Sequence, residues 1–88
     1  MFERRVEIRN ALGLHARPAQ LLVQTADQFR SRIVLSKDGV EVNGKSIMGV
    51  MMLAAERGST VLVRAEGADE RKAVEQLVAL IEGKFGEA

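Results

Sequence analysis

The stretch Gly13-Leu14-His15-Ala16-Arg17-Pro18 marks the place where the chain passes from a loop into a helix. Proline is tolerated in the first turn of a helix, because the first amides there have no intrahelical partner. Apolar residues then recur at helical spacing, which predicts a helix from Ala16 to about Phe29 with His15 at its N-cap. Free amides and the positive end of the helix dipole make such a position a ready site for an anion.

An imidazole, free backbone amides and a guanidinium come together at this predicted helix start. Histidine titrates near neutral pH, so a neutral ring offers a nitrogen lone pair that can attack phosphorus. The amides of Ala16 and Arg17 can donate to phosphoryl oxygens, and the guanidinium of Arg17 can screen the added negative charge. We therefore predict that His15 accepts a phosphoryl group. The alternative is that His15 is only a cap or a surface histidine.

The rest of the chain alternates between strand and helix patterns. Apolar and polar alternation predicts strands over residues 2–9, 32–37, 40–43 and 60–66. Asp38-Gly39 favours a hairpin turn between the second and third strands. A helix of one or two turns is predicted after Ser46, and a final helix is predicted to begin at Gly67-Ala68-Asp69-Glu70 and to end at Gly83.

These elements predict an α+β fold in the order β-α-β-β-α-β-α. Only one side of each strand is apolar, which is typical of a sheet that is covered on one face. We predict an open-faced β-sandwich: a four-stranded antiparallel sheet with three helices on one face, in a single domain of residues 1–88. The residues predicted to be buried in the fourth strand and the last helix are Val61, Val63, Ala65, Ala73, Val74, Leu77, Val78, Leu80 and Ile81.

Charge balance and aromatic content argue against a nucleic acid partner. Thirteen Lys and Arg against twelve Asp and Glu give a net charge of +1, whereas binding to a phosphate backbone needs a basic surplus or stripe. Three Phe residues, with no Tyr and no Trp, offer no stacking platform for bases.

Composition also limits the cofactors and the compartment. With one His and no Cys, the chain has no cluster suited to zinc, and we predict neither a metal site nor a cofactor. No apolar run approaches the length of a membrane span, and the first residues do not resemble a signal peptide. We therefore expect a cytoplasmic protein without membrane insertion.

A second motif, Ser46-Ile47-Met48-Gly49-Val50-Met51, combines a favoured N-cap with an apolar run. Such a cluster of apolar residues is by default part of the core. However, a helix this short cannot bury all of them against one sheet face, so some are expected to be exposed. Exposed methionines are flexible and suit a surface that must fit several partners.

Both motifs carry a family resemblance. Leu14-His15-Ala16-Arg17-Pro18-Ala19 resembles the active-site signature of the histidine-containing phosphocarrier family, HPr, of the bacterial phosphoenolpyruvate:sugar phosphotransferase system. Ser46-Ile47-Met48-Gly49-Val50-Met51 resembles the second signature of this family. The length, the spacing of the motifs and the order of elements also fit, so the resemblance covers essentially the whole chain.

The resemblance implies a phosphoryl carrier and not an enzyme with its own turnover. His15 matches the histidine that accepts a phosphoryl group on Nδ1 from phosphorylated enzyme I and passes it to the sugar-specific A component of a permease. Arg17 matches the arginine that assists the transfer. The implied docking surface for these partners lies around His15 and comprises Leu14, Gln20, Leu21, Ile47, Met48 and Met51. We expect a monomer.

Ser46 matches a regulatory serine that an ATP-dependent HPr kinase/phosphorylase modifies in many bacteria. The resemblance thus implies two further partners: the HPr kinase/phosphorylase and a transcriptional regulator. A phosphoserine at a helix N-terminus is stabilised by the dipole and the free amides, and its charge would oppose an acidic partner. The alternative is that Ser46 is only an N-cap.

Other functions fit the residues less well. The nitrogen-related paralogue of HPr would keep His15 but usually lacks the Ser46 motif. A regulatory paralogue without the histidine is excluded by His15 itself. A histidine phosphatase or mutase would need further arginines and a general acid around the histidine, and the chain contains no Arg-His-Gly string.

Overall fold

A computed structural model describes residues 1–87 of the chain. The predicted single domain of residues 1–88 includes Ala88, which lies outside the described residues. The elements are β1 (Phe2–Glu7), α1 (Ala16–Ala26), β2 (Arg32–Lys37), β3 (Val40–Asn43), α2 (Ile47–Met52), β4 (Thr60–Glu66) and α3 (Glu70–Glu82), followed by a 3-10 turn at Lys84–Gly86.

The four strands form one antiparallel sheet in the order β1-β4-β2-β3. Strand β4 pairs with β1 through Val61 and Val6, and with β2 through Val63 and Leu35. Helix α3 packs against β1 and β4, while α1 packs against α2 and α3. The predicted open-faced α+β fold is therefore confirmed.

The core lies between the sheet and the helices. On β4, Val61, Val63 and Ala65 are fully buried as predicted, because alternate side chains of a strand point to the same face. The predicted apolar stripe of α3 is buried except for Leu80, which is half-buried and packs against the edge of the core. Burial of each large apolar side chain contributes about 1.5–3 kcal/mol.

Two elements end earlier than the sequence pattern predicts. Strand β1 ends at Glu7 and not at residue 9, where the chain before β4 turns at Gly58 (φ +91°). Ile8 is nevertheless buried, and its backbone still bonds to this turn: its amide donates to the Ser59 carbonyl at 2.8 Å and its carbonyl accepts from the Gly58 amide at 2.7 Å. Helix α1 ends at Ala26, where the amides of Gln28 and Phe29 bond to carbonyls three residues back. This tighter turn keeps Phe29 in the core, so the apolar pattern continues beyond the helix.

Asp69 joins the start of α3 to the loop between α1 and β2. Its carboxylate accepts hydrogen bonds from the backbone amides of Arg30 (2.9 Å) and Ser31 (3.0 Å) and from the Ser31 hydroxyl. These bonds, above all the one from the Ser31 hydroxyl, lower the pKa of Asp69 from 3.8 to about 2. Asp69, in the stretch where the last helix was predicted to begin, thus bonds to a neighbouring loop and does not cap its own helix.

Candidate functional site

His15 occupies the N-cap of α1, as predicted from the sequence. Its backbone is extended (φ −75°, ψ −172°), and its carbonyl accepts the first helical hydrogen bond, from Ala19, at 3.0 Å. The imidazole makes no capping bond. Within residues 1–87 the amides of Ala16 and Arg17 therefore have no hydrogen-bond acceptor, and two backbone donors remain free beside the ring.

The loop that carries His15 is fixed against the segment that follows α2. Gly13 adopts φ +65°, and a Cβ atom there would clash with the backbone carbonyl oxygen of Ala55, so only glycine fits. The amide of Leu14 donates to the same oxygen at 2.9 Å. These contacts bring the start of α1 beside the end of α2.

Leu14 does not fit its predicted role in partner docking. Only 5% of this residue is exposed, because its side chain belongs to the hydrophobic core. An apolar residue directly before the N-cap packs against the helix and sets the entry angle of the chain. Leu14 therefore anchors the loop before His15 in the core and presents almost no surface to a partner.

A carboxylate faces one nitrogen of the imidazole. Nε2 of His15 lies 3.3 Å from Oε2 and 3.4 Å from Oε1 of Glu87. The two residues are separated by 72 positions, and no pattern in the sequence predicts their contact. Phe85, which is buried in the core at φ +55°, anchors the segment that carries Glu87.

Asn10 is a second residue of the site that the sequence motifs do not include. Its side chain is fully buried, and its Nδ2 donates to the Gly13 carbonyl at 2.7 Å and to Oε1 of Glu87 at 3.2 Å. The Oδ1 atom is buried and has no partner within residues 1–87. The amide thus links the His15 loop to Glu87.

Arg17 lies on the exposed side of the first turn of α1. Its guanidinium forms no ion pair with any residue in the range 1–87. A free arginine next to the unpartnered amides can turn towards an anion at this helix end, since its planar donors match phosphoryl oxygens.

Ser46 is the N-cap of α2, which confirms this part of the prediction. Its Oγ accepts a hydrogen bond from the Gly49 amide at 3.1 Å, and its carbonyl accepts one from Val50 at 2.9 Å. Ser46 is half-buried, so a face of the side chain reaches the surface.

An exposed apolar surface continues from Ser46 along α2. Val50 alone of this helix is buried, while Met48 and Met52 are 76% and 74% exposed. The other exposed large apolar residues near this surface and in the His15 loop are Ile47, Met51 and Leu12. Of the remaining predicted docking residues, Gln20 is exposed and Leu21 is half-buried. Leu12 and Met52 were absent from the predicted set.

The described residues show neither a metal-binding cluster nor a spanning helix. No group of three or more histidine, aspartate and glutamate side chains within residues 1–87 could hold a metal ion. Over the same range, no helix has the length and apolar character needed to cross a bilayer.

Comparison with protein families gives one match over most of the chain. A family model described as "PTS HPr component phosphorylation site" matches residues 2–83. The phosphocarrier protein HPr of Neisseria meningitidis serogroup A is 49% identical over 87 residues, which are 99% of this chain and 98% of that protein. The HPr-like protein Crh of Halalkalibacterium halodurans is 52% identical over 82 residues, or 93% and 98% of the two chains.

Solved structures share the fold over the whole chain. A crystal structure of HPr from Thermoanaerobacter tengcongensis has a TM-score of 0.97 and 55% identity, covering 100% of this chain and 99% of that one. A structure described as the HPr dimer of the same organism has a TM-score of 0.80 and 55% identity, covering 99% and 100%.

Proposed function

The chain belongs to the HPr family of phosphocarrier proteins, and we propose that His15 carries its phosphoryl group. The observation that supports this most is the position of the imidazole at the N-cap of α1, beside two backbone amides that have no acceptor in residues 1–87. We propose that the phosphoryl group comes from phosphorylated enzyme I and passes to a sugar-specific A component of a permease.

In the proposed transfer, the lone pair of Nδ1 attacks phosphorus while the bond to the donor breaks and its electron pair leaves with the donor. The amides of Ala16 and Arg17 donate to the phosphoryl oxygens, and the helix dipole favours the added negative charge. The Arg17 guanidinium screens the same charge. Transfer onward reverses these steps, because the N–P bond breaks with its electrons returning to the ring.

In the proposed carrier role, the protein does not catalyse a reaction by itself. A phosphocarrier receives and releases one group, and its partners supply the substrates at both ends. The exposed surface of α2 and Gln20 of α1 form the proposed docking surface, where the flexible methionines can adapt to more than one partner. We propose that the protein acts in the cytoplasm as a monomer. Because a dimer is described for a relative, the mass of this protein in solution should be measured to test the monomer.

We further propose that Ser46 is a regulatory phosphorylation site. Its hydroxyl lies at a helix start and next to the exposed apolar side chains of Ile47 and Met48. A phosphoryl group there would place negative charge beside the docking surface and would weaken the binding of an acidic partner. An HPr kinase/phosphorylase would add this group, and a transcriptional regulator would recognise it.

The test of the carrier function is intact-mass measurement with enzyme I and phosphoenolpyruvate. We expect the mass of one phosphoryl group, lost on brief acid treatment because a phosphoramidate is acid-labile, and we expect no gain for His15→Ala. Glu75→Ala, at an exposed position in the middle of α3, is the control, because it keeps the imidazole and lies outside the proposed docking surface. A folded His15→Ala protein that still gains an acid-labile group would overturn the assignment of His15.

A further inference from the structure

We propose that Asn10 and Glu87 are positioning residues that hold the ring proton of His15 on Nε2 and thereby leave the Nδ1 lone pair for phosphorus. This inference rests on the proposed role of His15 as phosphoryl acceptor. It assigns a function to a buried asparagine and to a carboxylate that the sequence motifs do not include.

The first step is the chemistry of the carboxylate that faces the ring. An ionised carboxylate only accepts hydrogen bonds, and a neutral imidazole has one N–H. Because Nε2 lies 3.3 Å and 3.4 Å from the two oxygens of Glu87, this nitrogen is the one that donates. The lone pair of the neutral ring is then on Nδ1.

The Glu87 carboxylate is held in place by the side chain of Asn10. The Glu87 side chain is 18% exposed and lies in a short segment after α3, where an untethered carboxylate would turn to water. Asn10 prevents this, since its Nδ2 donates to Oε1 of Glu87 at 3.2 Å. The same amide donates to the Gly13 carbonyl at 2.7 Å, two residues before His15. One amide therefore fixes the loop and the carboxylate relative to each other.

A purely structural role explains Asn10 less well. Both partners of its amide are acceptors, so Nδ2 must face them, and Oδ1 is left buried without a partner in residues 1–87. An unpaired buried carbonyl lowers stability. An apolar residue that fills the same space would avoid this cost, whereas only a double donor can hold Gly13 and Glu87 together.

The position of Glu87 also matters after Nδ1 has attacked phosphorus. When Nδ1 takes the phosphoryl group, the proton stays on Nε2 and the ring carries a positive charge. The Glu87 carboxylate lies next to that charge and stabilises it. When the group leaves, the electron pair of the N–P bond returns to the ring, and no proton has to move in either direction.

The experiment is nitrogen NMR of the His15 ring in unphosphorylated protein, at a pH where the ring is neutral. We expect the Nε2–H form to dominate in the parent protein, to lose population in Glu87→Ala, and to give way to the Nδ1–H form in Glu87→Lys, because an ammonium group only donates. Glu82→Lys makes the same charge change at an exposed position at the end of α3 and is expected to leave the ring unchanged.

Asn10 is tested through the same spectrum. Asn10→Asp replaces both donors with acceptors and is expected to resemble Glu87→Ala, and Asn10→Ala serves if the aspartate variant does not fold. Asn43→Asp is the matched control: within residues 1–87 the Asn43 side chain makes one hydrogen bond, accepted from the Lys45 amide, and an aspartate can accept the same bond. A folded Asn10 variant with the tautomer ratio of the parent protein would overturn the role of Asn10, and an unchanged ratio in Glu87→Lys would overturn the whole proposal.

The rate of phosphoryl acceptance is the second readout. We expect it to fall by about tenfold in Glu87→Lys, about the effect of one lost hydrogen bond, and to be unchanged in Glu82→Lys. An unchanged rate in Glu87→Lys with a reversed tautomer would also contradict the proposal. If the parent protein accepts no phosphoryl group while its tautomer behaves as described, the carrier function fails and the positioning of the ring stands.

Discussion

His15 is the one histidine of the chain, and its two ring nitrogens have different surroundings. Nε2 faces the carboxylate of Glu87, while the helix start offers amide donors and the side chain of Arg17. In the proposed transfer, the backbone amides and one arginine supply the charge that compensates the phosphoryl group. The proposed chemistry therefore depends on how these groups are oriented around the ring.

Ser46 allows the structural role of a residue to be separated from its proposed regulatory role. Ser46→Ala removes the acceptor of the Gly49 amide, and we expect the free energy of unfolding to fall by about 1 kcal/mol. Ser46→Asp keeps a capping oxygen, so we expect nearly parental stability but slower phosphoryl acceptance from enzyme I. Denaturant unfolding and a charging time course measure the two effects.

The control for these variants is Ser36→Ala on β2, since the Ser36 side chain makes no hydrogen bond within residues 1–87. Parental stability in Ser46→Ala would show that the cap contributes little. Charging of Ser46→Asp at the parental rate would refute the proposed regulation and leave the carrier function intact.

At the scale of elements, the site depends on connections between helix ends and loops. The Gly13 and Leu14 contacts with Ala55 join the start of α1 to the end of α2, and Asp69 joins the start of α3 to the end of α1. The starts of α1 and α3 are thus each bonded to a neighbouring segment of the chain.

The Asp69 connection predicts how stability depends on pH. The pKa of this carboxyl is about 2 in the folded protein and 3.8 ordinarily, so the folded state favours the charged form. Its contribution is present above the ordinary pKa and is lost as the pH falls from about 4 to about 2. We expect Asp69→Asn to be less stable than the parent protein at neutral pH and to lose less stability on acidification.

Thermal unfolding from neutral pH down to acid measures this difference. Asp27→Asn, at the exposed C-cap of α1, is the control, because the Asp27 carboxylate accepts no hydrogen bond in the described part of the chain. Equal pH profiles for Asp69→Asn and the parent protein would mean that the connection does not contribute to stability.

At the scale of the whole molecule, the sequence predicted what depends on local pattern. The alternation in β4 and the stripe in α3 located the core, and the position of Pro18 located the N-cap histidine. The contact between Glu87 and His15 was not predictable, because the two residues are separated by 72 positions and meet only in the folded chain. The burial of Leu14 was missed for a related reason: the sequence does not state which side of the loop faces the core.

We propose that the phosphoryl group resides on Nδ1 of His15. The most direct measurement is phosphorus–nitrogen scalar coupling in protein labelled at the histidine ring nitrogens and charged by enzyme I. We predict coupling of the phosphoryl phosphorus to Nδ1, with Nε2 still protonated beside Glu87. Coupling to Nε2, or a phosphoryl group without coupling to either ring nitrogen, would contradict the claim.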